Sequence, residues 1–229
     1  FAGYQWISPN FLMELPDDRP PAELMMAQQL GTVIFAAQKL PDMSGNKAVV
    51  IGQGSAGLFH DYYLRKFGAS RIIAIEPNDD RRNAGINLNV DDTVDVIGDS
   101  AVQAVMELTG GKGAEVVVDA VGGPETLDQA IKIAKPEGHV HVFGLPTSFE
   151  KVQFALGTYF LKRLDLRTIF GAQDENNLSS FRKALKLIID GDIDMSPYVT
   201  HALPIEYVKD AFSLAHDPTD GALKVSLTM

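Results

Sequence analysis

The sequence predicts an α/β protein built around a doubly wound, parallel, six-stranded sheet, with smaller segments on either side. Two observations lead to this fold class. Short apolar runs rich in Val and Ile alternate with helical patterns between residues 48 and 171, and a glycine-rich turn follows the first run. Continuous apolar runs are typical of parallel strands buried on both faces, and their alternation with helices indicates strand–helix–strand units.

The segment before the sheet is predicted to be extended and then helical. Residues 1–20 contain short extended pieces that end in a proline-rich turn. Apolar residues spaced three to four apart predict a helical region over residues 21–40, with Pro21 near its start. The pair Gly31 and Thr32 is expected to divide this region into two helices.

The remaining elements follow in order along the chain. The six predicted strands cover residues 48–51, 71–75, 93–97, 115–118, 139–143 and 166–170. The helices predicted between them cover residues 56–67, 80–84, 102–108 and 125–134. After the sheet, the pattern predicts helices over residues 178–189 and 204–216 and a strand over residues 223–227.

Composition excludes several classes of protein and site. The 229 residues include no Cys, which excludes disulfides, thiolate zinc sites and a cysteine nucleophile within this chain. The net charge of −10 disfavours binding to nucleic acid or to an anionic membrane. The sequence shows no signal-peptide pattern, and no apolar run approaches the roughly 20 residues that span a bilayer. We therefore expect a cytoplasmic enzyme or binding protein.

A glycine-rich turn after the first strand gives the strongest chemical signal. Gly52, Gly54 and Gly57 occupy the glycine positions of the pattern G-x-G-x-x-G, between a strand and a helix. In this pattern the first glycine makes a tight turn, the second leaves room for a pyrophosphate, and the third lets the helix approach the strand. Unpaired N–H groups around Ser55 and Ala56 would then face the diphosphate. The turn predicts a dinucleotide site.

An acidic residue at the end of the second strand indicates which dinucleotide binds. Glu76 lies 19 residues after Gly57, where a carboxylate can accept hydrogen bonds from the adenosine ribose and repel a 2′-phosphate. The sequence therefore predicts NAD(H) as the cofactor. Arg81 and Arg82 leave NADP(H) open, because a guanidinium can bind a 2′-phosphate, although both can also be solvated charges.

Two further motifs identify a family resemblance. The stretches VVVDAVGG at residues 116–123 and GHVHVFGLP at residues 138–146 join the glycine turn and the stretch GASRII at residues 68–73. Together they resemble the medium-chain dehydrogenase/reductase superfamily, and more narrowly its zinc-type alcohol and polyol dehydrogenases. The resemblance covers nearly the whole chain, including residues 1–4 and 15–18, which are similar to the end of that family's catalytic domain.

The resemblance implies a domain organisation. Residues 28–171 would form a Rossmann dinucleotide-binding domain, residues 1–27 the tail of a catalytic domain, and residues 172–229 a segment that returns to it. Most of the N-terminal catalytic domain of such enzymes would then be missing from this chain.

The resemblance also implies a path for the cofactor. Beyond the glycine turn and Glu76, the resemblance places Arg81 beside the adenosine and Lys224 near the diphosphate. It places residues 120–122 along the cofactor and residues 143–145 beside the nicotinamide ribose. Residues 169–171 would lie beyond the nicotinamide ring, and Thr32 near it. The expected cofactor-binding residues are Thr32, Gly52, Gly54, Ser55, Ala56, Gly57, Glu76, Arg81, Ala120, Val121, Gly122, Phe143, Gly144, Leu145, Ile169, Phe170, Gly171 and Lys224. The apolar members would also suit ordinary buried strands.

The sequence supplies no complete set of metal-ligating or acid–base residues. Relatives hold a catalytic zinc partly through a Cys or Glu at the start of the segment that aligns with residues 28–32, where this chain has Gln28 and Gln29. An amide oxygen is a weak zinc ligand, so we predict no metal site in this chain. A longer protein would either bind zinc through fewer charged ligands or be a zinc-free relative. His139 and His141 lack a third ligand, and Asp119 is expected to bond to the following turn. No catalytic residue is assigned.

The resemblance implies hydride transfer between an alcohol and a carbonyl. A zinc-free quinone or enoyl reductase, which the two glutamines favour, remains an alternative, as does a non-catalytic NAD-sensing module. The expected partners are a small alcohol or carbonyl substrate and, through the exposed sixth strand, a second copy of the chain in a homodimer or tetramer.

Overall fold

The computed structural model describes residues 5–88, 90–146, 151–217 and 221–228. Six strands form one parallel sheet in the order β3-β2-β1-β4-β5-β6. They are β1 (Lys47–Ile51), β2 (Arg71–Ile75), β3 (Asp92–Val94), β4 (Ala114–Asp119), β5 (Ala134–Val142) and β6 (Asp165–Thr168). The strand order reverses direction between β1 and β4, as in a doubly wound fold, and the predicted fold class is confirmed.

Helices cover both faces of this sheet. The helices are α1 (Pro21–Leu24), α2 (Met26–Ala37), α3 (Ser55–Lys66), α4 (Asp79–Asn87), α5 (Gly98–Leu108), α6 (Pro124–Ile133), α7 (Leu156–Lys162), α8 (Ser179–Ile189) and α9 (Val208–His216). Helices α5 and α6 pack on one face of the sheet, while α3 packs on the other and contacts α2, which in turn packs against α8. No helix among the described residues is long and apolar enough to cross a bilayer.

The strands are apolar along their length because both faces are buried. In β1, Val49 packs towards α5 and α6, whereas its neighbours Ala48 and Val50 pack towards α3. All three are fully buried. Side chains alternate between the two faces of a strand, so each strand contributes to both cores. Burying each Val side chain contributes about 1.5–3 kcal/mol relative to leaving it in water.

The register of the central strands brings their carboxyl ends to one edge of the sheet. Ile51, the last residue of β1, pairs with Ile75 at the end of β2 and with Asp119 at the end of β4. Asp119 pairs in turn with Val142 at the end of β5. The loops that follow these four strands therefore emerge side by side, which is where ligands bind in open α/β sheets.

The predicted break at Gly31 and Thr32 is wrong. Both residues lie inside α2, and the helical region is instead divided at Met25. Gly31 serves close packing, because a Cβ at this position would lie 2.3 Å from Cδ1 of Phe181 on α8. The glycine lets two helices approach each other and does not end one of them.

Other differences concern short elements. Strand β3 ends at Val94, earlier than predicted, and β6 ends at Thr168, so Ile169 and Phe170 lie just beyond it. Helix α7 was not predicted. Neither was strand β7 (Val199–Pro204), which pairs in parallel with β8 (Lys224–Thr228) in a separate two-stranded sheet.

The segment before α1 is extended, as predicted, with one short 3₁₀ turn at Pro9–Phe11. Several of its apolar side chains are exposed, including those of Trp6, Phe11 and Leu12. Residues 1–4, which carry part of the family resemblance, lie outside the described residues. The division of the chain into three parts stays a prediction.

Candidate dinucleotide site

Glycines bring three loops together at the carboxyl edge of the sheet. A Cβ at Gly52, after β1, would lie 2.7 Å from Cγ2 of Val121, in the loop after β4. A Cβ at Gly122 would lie 2.5 Å from the carbonyl oxygen of Gly144, which follows β5. Gly52 and Gly122 also have φ values of 91° and 92°, which L side chains rarely adopt. Larger residues at these positions would push the loops apart.

The glycine turn has the geometry that its pattern predicts. A Cβ at Gly57 would lie 1.9 Å from the carbonyl oxygen of Gly52, so the third glycine allows α3 to begin directly beside the turn. A Cβ at Gly54 would meet nothing within 4 Å, which leaves open space beside the main chain. Gly54 is the N-cap of α3 and provides no side-chain cap for the first N–H groups. These donors and the helix dipole suit a diphosphate.

Glu76 fastens this turn to the end of β2. Its carboxylate is 5% exposed and accepts hydrogen bonds from the main-chain N–H groups of Gln53, at 2.8 Å, and Asn78, at 3.0 Å. The two bonds use different oxygens, and each oxygen keeps a lone pair for another donor such as a ribose hydroxyl. Sequence reasoning identified the acidic residue but not its structural bond to the turn, because that contact spans 23 residues.

The two neighbouring arginines have different surroundings. The guanidinium of Arg82 donates to the carbonyl oxygens of Glu76 and Pro77, at 2.8 and 2.7 Å, and pairs with Asp79. Arg81 extends towards the C-terminal segment, where its Nη2 lies 3.5 Å from the carbonyl oxygen of Ala222. Its Nε is buried without a hydrogen-bond partner among the described atoms. Neither side chain is simply a solvated charge.

Asp119 shapes the turn that follows β4, as predicted. Its Oδ1 accepts hydrogen bonds from the N–H groups of Val121 and Gly122, both at 3.0 Å, and its Oδ2 accepts one from the Thr126 hydroxyl at 3.0 Å. Burial raises the pKa of this carboxyl, although the three hydrogen bonds act in the opposite direction. A carboxylate committed to three donors has a structural role.

The residues expected around the nicotinamide differ in exposure. Phe143 is partly buried, with its ring 4.6 Å from that of His60 in an edge-to-face contact. Ile169 is buried, and its N–H donates to the carbonyl of Val142. Leu145 and Phe170 are 64% and 73% exposed, so their side chains are free to contact a ligand, whereas Ile169 acts mainly in packing.

A hydrogen bond that sequence reasoning missed connects α2 to the glycine turn. The Ser55 hydroxyl donates to Oε1 of Gln29 at 2.8 Å. Thr32 lies one turn further along α2, and residues three apart share a helix face. The hydroxyl of Thr32 donates to the carbonyl of Gln28 within the helix. Lys224 is the first residue of β8, and Arg81 contacts the carbonyl oxygen of Ala222 two residues before it.

The described residues do not fit a zinc ion. Within the described ranges, no three His, Cys, Asp or Glu side chains are grouped closely enough to hold a metal. Gln28 is exposed, and Gln29 is bonded to Ser55. His139 lies 3.1 Å from Asp165, and His141 is buried, which lowers its pKa to about 4. No chemical step is therefore assigned to a metal in this chain.

Comparison with known proteins gives a family match. Residues 57–190, more than half of the chain, match the family model described as zinc-binding dehydrogenase. The curated L-threonine 3-dehydrogenase of Bacillus velezensis is 28% identical over 214 residues, which cover 93% of this chain and 60% of that enzyme. The chain thus spans about 60% of the length of this curated relative.

Solved structures share the fold. A zinc-binding dehydrogenase from Sinorhizobium meliloti, bound to NADP, superposes with a TM-score of 0.79 at 22% identity, covering 95% of this chain and 62% of that one. The alcohol dehydrogenase RspB from Escherichia coli, complexed with NADH, gives 0.78 at 18% identity with the same coverage. The resemblance stated from the motifs is confirmed by the family match: the chain belongs to the zinc-binding dehydrogenase family.

Proposed function

We propose that this chain is the NAD(H)-binding part of an alcohol dehydrogenase-like oxidoreductase that transfers hydride between an alcohol and a carbonyl. The observation that carries the proposal is the buried Glu76 carboxylate at the end of β2, bonded to the G-x-G-x-x-G turn. The family match supports an oxidoreductase, and its relatives include L-threonine 3-dehydrogenase.

The residues of this edge would bind and orient the cofactor. When bound, the nicotinamide supplies the hydride chemistry. The N–H groups at the start of α3 would hold the diphosphate, and Glu76 would accept hydrogen bonds from the adenosine ribose. Leu145 and Phe170, which are exposed beyond the ends of β5 and β6, would border the ring and exclude water from it.

Proton transfer is not assigned to this edge. Asp119 precedes the turn at residues 120–122 on the expected path, and the main chain and Thr126 already occupy its oxygens. We propose that residues of a longer protein, corresponding to the part of the relatives that this chain does not span, polarise the substrate and accept its proton. This chain alone would then bind cofactor with little turnover.

The choice of NAD(H) over NADP(H) depends on Glu76. A buried carboxylate repels a 2′-phosphate, and Arg82 is held by main-chain carbonyls, which leaves Arg81 as the competing cation. Fold neighbours have been solved with either dinucleotide, so the preference needs a direct test.

The test compares NADH and NADPH affinities of the wild type and the Glu76→Gln variant. Glutamine keeps an oxygen acceptor but removes the charge, so NADPH should gain on NADH by about tenfold. The control is Glu206→Gln, an exposed acid outside the sheet, which should leave the ratio unchanged. An unchanged ratio in Glu76→Gln would show that this carboxylate does not select the cofactor.

The alternative of a zinc-free quinone or enoyl reductase draws on Gln28, which is exposed, and Gln29, whose amide oxygen accepts a hydrogen bond from Ser55. This alternative predicts a preference for NADPH in the same measurement. A clear NADH preference, together with oxidation of an alcohol by the longer protein, would exclude it.

We also propose a homodimer formed through β6. Among the described strands, β6 pairs only with β5, so its other side is an open sheet edge. Leu156, Phe160 and Leu161 on the preceding helix α7 are 61%, 76% and 76% exposed. An apolar surface beside an open parallel edge favours pairing with a second copy.

A further inference from the structure

A third buried acid lies beneath the proposed cofactor site. Asp61 is one helical turn after Gly57 on α3 and is fully buried. Glu76 and Asp119 each accept at least two hydrogen bonds, but neither carboxylate oxygen of Asp61 has a partner among the described atoms. Burial raises the pKa of Asp61 to about 8, so the side chain is a neutral acid at neutral pH.

A polar neighbour of this acid is part of the glycine turn. Gln53 is fully buried, and its amide lies near enough to Asp61 to lower the carboxyl's pKa, against the larger effect of burial, without an aligned hydrogen bond between them. The same amide donates from Nε2 to the carbonyl oxygen of Gly52 at 3.4 Å. The main-chain N–H of Gln53 donates a hydrogen bond to the Glu76 carboxylate. Asp61 thus connects to the turn and to Glu76 through one residue.

Gln53 has little freedom to move away from this acid. A Cβ at Gly85 of α4 would lie 2.5 Å from its Oε1, and a Cβ at Gly57 of α3 would lie 3.5 Å from its Nε2. The amide is therefore enclosed between two helices, and its Oε1 is buried without a donor among the described atoms. A change in the charge of Asp61 acts on a side chain that cannot rotate into solvent.

The other titratable groups around Asp61 do not offset the rise in its pKa that burial causes. Arg65 on the same helix lowers the pKa of the carboxyl, but less than burial raises it, and Arg65 also pairs with Asp91. On the segment after α8, burial raises the pKa of the Tyr198 hydroxyl, and the charge of Asp61 acts in the same direction. Tyr198 stays neutral in the range where Asp61 titrates, so it adds no second charge beside the carboxylate.

We propose that Asp61 is a positioning residue for the cofactor: as a neutral acid it leaves the Gln53 amide on the Gly52 carbonyl, in the binding geometry, and its ionisation weakens dinucleotide binding. This inference rests on the proposed function. Loss of one proton to solvent would leave an unpaired negative charge within α3, whose N-terminus is proposed to bind the diphosphate dianion. The charge would also attract the Gln53 amide away from the Gly52 carbonyl.

The test measures NADH affinity of the 229-residue chain by fluorescence titration between pH 6.5 and 9.5. Because ionisation of Asp61 opposes binding, the wild-type Kd should rise about fivefold or more through a midpoint near pH 8. The Asp61→Asn variant should vary less than about twofold over the same range. Asp210→Asn, which changes an exposed aspartate on α9, is the matched control and should follow the wild type.

Two results would overturn the inference while leaving the proposed function intact: a wild-type Kd that is constant with pH, or an Asp61→Asn variant with the wild-type pH profile. Absence of NADH binding at every pH would instead refute the proposed function, and this inference with it.

A spectroscopic readout covers the case in which Asp61→Asn does not fold. The wild type should show the infrared band of a protonated carboxylic acid at pH 6.5, and this band should disappear near pH 8. If the neutral acid favours NADH binding, bound NADH must in turn favour the neutral acid, so the band should disappear at a higher pH when NADH is present. A band that NADH does not shift would contradict the inference.

Discussion

Three buried acids, two at the carboxyl edge of the sheet and one within α3, differ in what their oxygens contact. Glu76 and Asp119 each fix a loop through main-chain N–H groups, whereas neither carboxylate oxygen of Asp61 has a hydrogen-bond partner among the described atoms. A carboxylate stabilises a buried loop when N–H donors replace the water it loses, and it becomes a neutral acid when they do not. The same residue type therefore has a structural role at two positions and a proposed positioning role at the third.

Replacement of Asp119 tests the structural role directly. Asp119→Ala leaves the Val121 and Gly122 N–H groups without their acceptor, and Gly122 is buried. We expect the free energy of unfolding, measured with urea, to fall by about 3 kcal/mol. The control Asp128→Ala removes a carboxylate that pairs with Lys132 on the surface of α6 and should cost less than about 1 kcal/mol. Equal losses in the two variants would contradict the assigned role.

At the scale of elements, Gly31 shows how a correct local rule can give a wrong prediction. Glycine has a poor helix propensity, so a break in the helix was expected, but the contact with Phe181 requires a residue without a Cβ. The packing of α2 against α8 outweighs the local preference.

Gly31→Ala tests this packing argument. Alanine favours a helix by about 1 kcal/mol over glycine, yet its Cβ would lie 2.3 Å from Phe181 Cδ1 and 2.8 Å from its Cα, so the helices must separate. We expect a net loss of about 2 kcal/mol in urea unfolding. The control Gly157→Ala in α7, where a Cβ meets nothing within 4 Å, should be neutral or stabilising. Stabilisation by Gly31→Ala would refute the packing role.

The sequence was informative where local pattern determines structure. Apolar runs predicted every strand of the large sheet, and glycine spacing predicted a turn whose close contacts the structure contains. Strand β7 was not predicted. Its residues are at most partly buried, and its partner β8 lies 24 residues or more away in the chain. The Ser55–Gln29 and Gln53–Glu76 bonds could not be foreseen, since they depend on how distant segments pack.

At the scale of the whole molecule, β6 is an edge strand of the described sheet, and the preceding helix α7 exposes several apolar side chains. A charge placed in this surface should oppose association of two copies. We expect Phe160→Glu to shift the chain from dimer to monomer in sedimentation velocity experiments. The control is Ile97→Glu. Ile97 is an apolar side chain, 67% exposed, that follows the opposite edge strand β3, so this variant should remain dimeric. A wild-type chain that is monomeric at high micromolar concentration would contradict the proposed dimer.

The carboxyl edge of this sheet is proposed to bind NAD(H). Isothermal titration of the unmodified 229-residue chain with NADH and then with NADPH tests it most directly. Glu76 beside an uncapped helix N-terminus should give saturable binding of one NADH per chain, with NADPH weaker by about tenfold or more. No saturable binding of either dinucleotide, or tighter binding of NADPH, would contradict it.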